Sequence, residues 1–225
     1  MNATYRISIA TLIAGISFGA LAAESADLAV TGTIRPSACN VALSSNGVVD
    51  YGTISASTLN ESTSTQLPDV QSTLTISCDA PTRFAVGTVD NRAGTVANSA
   101  LIGGQAAIVH QGLGAVNGTN IGAYQVNFGN TATADGGNAP TIYAQGGTTG
   151  TWTVASTLGR AVGLSSISGL RYFSWAEADG ATPYAYTTVV QPLTIQTGII
   201  GRTSLPDMTS GIPLDGSLTI SLYYL

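Results

Sequence analysis

The residues able to carry chemistry are few, and their spacing argues against most reactions. His110 is the single histidine, so it is the one imidazole available as base to a serine or cysteine nucleophile. It sits beside Gln111 in a Gly-rich stretch, a setting that predicts a loop or strand-edge residue. Glu177 and Asp179 are two apart, which places both on one face of an extended chain with no opposed carboxylate for glycoside chemistry. Gly180 marks a turn there, so solvated acids are expected. Asp90-Asn91-Arg92 could hold an anion through its arginine, but a turn with an Arg–Asp side-chain pair is the plainer account. Trp152, Trp175, Tyr143, Tyr184 and Tyr186 could face a sugar or a protein; packing in the core or on sheet edges is the simpler expectation. No catalytic, cofactor-binding or metal-ligating residue is assigned, and no enzyme activity is expected.

Cys39 and Cys78 lack the Cys-x-x-Cys spacing of a redox pair, and one histidine does not make a zinc set. Residues 1–22 read as a secretory signal: Arg6 precedes an apolar run, and Ala20-Leu21-Ala22 fits a small-x-small cleavage site. Ser8, Thr11, Gly15, Ser17 and Gly19 interrupt that run, which argues against a membrane anchor. Export would deliver both cysteines to an oxidising compartment, where two cysteines allow one intramolecular pairing. A structural Cys39–Cys78 disulfide is therefore expected, stabilising the fold by ~4 kcal/mol on a chain-entropy model.

The remaining residues, 23–225, suffice for one all-β domain. Charged residues are 8% of the chain and lysine is absent, so the surface must be solubilised by hydroxyls and amides. A net charge of −5 makes nucleic acid a poor partner. Alternation predicts strands over Leu28–Ile34, Thr73–Cys78, Phe84–Val89, Ala123–Phe128, Trp152–Val154, Arg171–Trp175, Thr188–Ile195 and the final Leu218–Tyr224. Gly47–Ile54 is expected to pair back on the first of these, and 135–150 to form a long exposed loop around a short Thr141–Tyr143 strand. Many short strands separated by turn residues predict a β-sandwich. An outer-membrane barrel would also end on an alternating strand, but counting back from Leu225 in twos gives Tyr223, Ser221, Thr219 and Ser217, a mostly polar set. The two sequons at Asn60 and Asn117 read as unused.

The order of these features resembles a family. An alternating N-terminal stretch runs into Cys39, Val48-Val-Asp-Tyr-Gly-Thr-Ile54 follows, a second alternating strand ends on Cys78, and the chain closes with a penultimate tyrosine. This resembles a pilin subunit of the chaperone–usher pathway. Val89-Asp-Asn-Arg-Ala-Gly-Thr95, 112–124 and Tyr172-Phe-Ser-Trp175 are similar to the GltF-like group of fimbria-associated exported proteins. The resemblance implies an immunoglobulin-like sandwich lacking its last strand. It also implies a groove that a periplasmic chaperone, and then a neighbouring pilin subunit, fills with a strand at an outer-membrane usher. Carried over residue by residue, Leu218, Ile220, Leu222 and Tyr224 would line that groove, and the Leu225 carboxylate would meet a basic anchor on the chaperone. Residues 23–33 would hold the donor segment and first strand, with Ala26, Leu28 and Val30 as candidate plugs. That segment is short, so weak donation, a place at a fibre end, and no polymerisation all stay open. The alternative reading is a self-sufficient periplasmic or cell-surface binding protein with a complete sandwich.

Overall fold

The computed structural model describes residues 26–33, 37–155, 161–162 and 171–225. The chain divides into Met1–Arg35 and Pro36–Leu225. In the first unit, residues 26–33 are exposed and form no strand, so the strand expected over Leu28–Ile34 is not found in its described part. Alternation gives a segment a face, but a strand also needs a neighbouring ladder.

The second unit is all-β, with no α-helix among its described residues. Its principal strands are β1 (Cys39–Leu43), β2 (Val70–Thr82), β3 (Phe84–Asp90), β4 (Gly122–Phe128), β5 (Thr131–Ala134), β6 (Gly137–Gln145), β7 (Arg171–Trp175), β8 (Tyr186–Ile199) and β9 (Leu218–Tyr224). They join in one nearly closed, barrel-like antiparallel sheet along the path β1-β2-β8-β5-β6-β7-β3-β9, with β4 pairing β8. β8 is the spine. It pairs β2 from Thr188 to Ile195 on one side, and β5 and β4 in succession on the other.

The alternation expected of β2, β4 and β7 is what fills the core. Leu74, Ile76, Val126, Phe128, Phe173 and Trp175 are all buried. Phe128 stacks on Phe173 with ring centroids 4.4 Å apart. Two expectations are corrected. Gly47–Ile54 forms no strand: Ser45, Asn46 and Gly47 take positive φ and turn the chain out of β1. Residues 135–150 are not a long loop, because β5 and β6 form a hairpin through Asp135-Gly136 (φ +46° and +84°). That dipeptide matches the twist of the strands it joins. The Asp135 carboxylate further accepts from the Thr187 and Thr188 amides, tying the hairpin tip to β8.

Among the buried polar side chains, Gln191 connects several strands. Gln191 on β8 accepts at Oε1 from Trp175 Nε1 (2.8 Å) and lies 2.8 Å from the Thr141 hydroxyl, while its Nε2 donates to the Gly129 and Pro192 carbonyls. The amide thereby links β6, β7 and β8 and satisfies groups that burial would otherwise orphan. Replacing Gln191 by Leu is expected to lower stability by about 2–4 kcal/mol, since buried donors lose their partner. The shift of the urea midpoint against wild type measures it.

Candidate functional site

The sheet path leaves β1 and β9 as its two ends, and these ends face each other. Val41, Leu43 and Ile220 line one cavity between them, and Leu43, Val49, Val126, Leu193, Leu218 and Ile220 line a second, of about 190 Å³, below it. Leu218, Ile220 and Leu222 are half-buried against the core, as are Val41 and Leu43. The seam between the lips is therefore apolar and incompletely filled.

The backbone of each lip is open along the seam. Asn91 N–H donates to Ser217 O, and Leu225 N–H donates to Arg83 O. In an antiparallel pair, residues alternate between bonding the partner and facing away. Ser217, Thr219, Ser221, Tyr223 and Leu225 thus bond β3, while Leu218, Ile220, Leu222 and Tyr224 turn N–H and C=O to the seam. On β1, Cys39 N–H points away from β2, which puts Cys39, Val41 and Leu43 on the open edge. Seven antiparallel steps separate β1 from β9, so the two lips run in opposite directions.

Each end of the seam is fixed. Cys39 and Cys78 are opposite in the β1–β2 register and form the expected disulfide, which staples the β1 lip to the sheet. At the other end, Arg92 grips Asp215 with two hydrogen bonds, Nε to Oδ2 at 2.8 Å and Nη2 to Oδ1 at 2.7 Å. The guanidinium holds the Asp215 carboxyl below the usual carboxylate range. Asp215 N–H donates to Leu113 O, and Gly216 lies where a Cβ would come 2.9 Å from the Tyr124 ring. Burial raises the Tyr124 phenol, with nearby Asp90 adding to the effect. The turn expected at Asp90-Asn91-Arg92 exists, but the arginine pairs with Asp215 across the fold, while Asp90 accepts from the Arg92 and Gly112 amides.

Of the residues assigned from sequence, Leu218, Ile220 and Leu222 line the seam together, and Tyr224 reaches across its end, 56% exposed. Leu225 is exposed and bonds the Arg83 carbonyl through its amide. Ala26, Leu28 and Val30 lie in the other unit, exposed. The opposite lip, Val41 and Leu43, was missed. Its signal was the Cys39-Asn-Val41-Ala-Leu43 alternation, which continues the face of a cysteine that must point inward.

The other chemically capable residues divide between the core and the surface. His110 is fully buried; its Nε2 accepts from Ile102 N–H and its Nδ1 lies 3.0 Å from Ala106 O, so the ring clips its own loop. Glu177 and Asp179 are exposed in a turn closed by Gly180 N–H to Glu177 O. Trp175 and Tyr186 are core residues and Tyr184 is exposed. Among the described residues no His/Cys/Asp/Glu cluster fits a metal.

The comparisons with known proteins agree with one another over this region. The model of a family described as protein of unknown function (DUF1120) matches residues 28–142. The chain belongs to this family. Protein GltF of Escherichia coli (strain K12) is 34% identical, the match covering 97% of this chain and 96% of the relative. Uncharacterized protein YhcF of the same organism is 26% identical, covering 97% and 99%. The family match thus includes the β1 lip, both cysteines and the Arg92 anchor. Among the described residues no helix is long and apolar enough to cross a membrane, and the disulfide fits an oxidising, extracytoplasmic compartment.

The buried histidine gives a pH dependence. Burial lowers the His110 pKa from the ordinary 6.5. Below that value the unfolded chain takes up a proton that the folded chain does not, so the stabilisation is full above pH 6.5 and declines as pH falls. Urea midpoints at pH 7.5 and pH 5 are expected to differ more for wild type than for His110→Gln, which lacks the titrating ring. Reduction of the disulfide, or Cys39→Ser with Cys78→Ser, is expected to lower stability by about 2–5 kcal/mol, read from thermal melts with and without reductant.

Proposed function

We propose that this chain is a fimbrial or fimbria-associated subunit with an immunoglobulin-like, pilin-type sandwich one strand short. In this reading it is exported to the periplasm and its seam takes a strand first from a periplasmic chaperone and then from a neighbouring subunit at an outer-membrane usher. The reading involves no catalysis and no cofactor. One observation carries it: an apolar seam bounded by two strand edges whose backbone groups face an open gap, with Leu218, Ile220 and Leu222 on one lip and Val41 and Leu43 on the other. Exposed strand edges are hazards that proteins normally cover or blunt with charge. Neither lip carries a charged side chain along its open edge. β-Augmentation uses such an edge, with main-chain bonds giving affinity and alternate side chains giving register. The exposed alternating segment at Ala26, Leu28 and Val30 supplies residues of the type a donor strand needs, and the extracytoplasmic disulfide fits the compartment.

Co-expression with a periplasmic pilus chaperone tests the proposal. The mature subunit is expected to co-purify with the chaperone, and Ile220→Arg to reduce recovery of the complex by at least about 100-fold, because a charge in the apolar seam lacks a partner. A wild-type subunit that purifies alone as a stable monomer, with Ile220→Arg behaving identically, would instead indicate a self-sufficient binding protein.

A further inference from the structure

The Tyr224 hydroxyl accepts a hydrogen bond from Cys39 N–H at 3.0 Å. These residues belong to opposite lips, and the bond spans the seam where β9 ends and β1 begins. The Cys39 amide is the first open-edge donor of β1, the group a strand lying along that lip would use. Here a side chain meets it in place of a backbone. Tyr224 is 56% exposed, so core packing does not dictate its position. The disulfide ties Cys39 to Cys78 of β2 beside this bond. Among the described residues the opposite end of the seam has no such bridge, and it opens past Val49, Tyr51 and Leu214 into a further cavity of about 480 Å³.

We infer that the Tyr224 hydroxyl is a latch: in the empty subunit it bridges the lips and holds the Cys39 amide, and it competes for that amide with an entering strand, thereby setting how far such a strand reaches. The inference rests on the strand-uptake reading. A strand ending opposite Leu222 leaves the latch closed. A longer strand takes over the Cys39 amide and must displace the tyrosine. The residue is a positioning residue for strand uptake, selecting the length of the occupant. Because the competition involves one neutral hydrogen bond, removing the hydroxyl should favour the longer occupant by about 2- to 10-fold.

The test uses the mature subunit refolded under oxidising conditions, as wild type and Tyr224→Phe, which keeps the ring. Amide hydrogen exchange at Cys39 in the free protein is expected to be slow in wild type and markedly faster in the variant. Equal exchange rates would overturn the latch. The binding probes are a synthetic peptide of residues 26–34 and two versions shortened by two residues at either end. Tyr224→Phe is expected to bind the full peptide about 2- to 10-fold tighter than wild type, and both proteins to bind one of the shortened peptides equally. Equal or weaker binding of the full peptide by the variant would overturn the proposal. If no peptide binds either protein, the strand-uptake reading fails, and Cys39 exchange alone decides whether the hydroxyl bridges the lips.

Discussion

The structure depends on one requirement left unmet among the described residues: backbone donors and acceptors at the two ends of a nearly closed sheet have no strand to pair with. Within the sheet, each strand satisfies its ladder through two neighbours, and β8 does so along most of its 14 residues. At β1 and β9 the ladder stops on one side, although the side chains behind both strands still point into the same core. The core therefore remains partly open at the seam, and its apolar residues are only half-buried there. Much of the surrounding architecture fixes those lips in place, through the disulfide under β1 and the Arg92–Asp215 pair before β9.

The polar groups inside the fold serve this rigidity. Gln191 ties together three strands that lie between the lips in the sheet path, and His110 clips the loop leading to Gln111–Leu113, where Leu113 helps line the seam. Both groups are fully buried. In the proposed strand uptake, the seam's backbone would supply the bonds, and the shape and spacing of the apolar side chains behind it would supply selectivity.

Much of this was legible in the residues. The final strand and the inward-facing second cysteine follow from period-two alternation, a local signal, and the disulfide follows from cysteine parity, which needs only a count of two. Other features are not local. The segment at Leu28–Val30 alternates as clearly as β9, yet alternation does not name a partner, and it forms no strand here. β1 was hidden because Cys39-Asn-Val41-Ala-Leu43 is only five residues long and follows that stronger pattern. The β5–β6 hairpin was misread because its Gly, Thr and Asn content suggested a loop, although Asp135-Gly136 at its centre is a hairpin signal. The burial of His110 has no local signature; it results from a short loop folding back on the ring. Arg92 was expected near an aspartate, but its partner lies 123 residues away in the chain.

The opposed directions of the two lips have a further consequence. Eight strands along the path form an even set, and an even set can close with every neighbour antiparallel. A ninth strand makes the count odd, so one of its two junctions must be parallel, the somewhat less stable arrangement per residue. A strand taken up there as proposed would be held more firmly by one neighbour than by the other. Under the proposed strand uptake, reversing the bound strand would swap which junction is the weak one, so strands of opposite polarity would be gripped unequally by the same cleft.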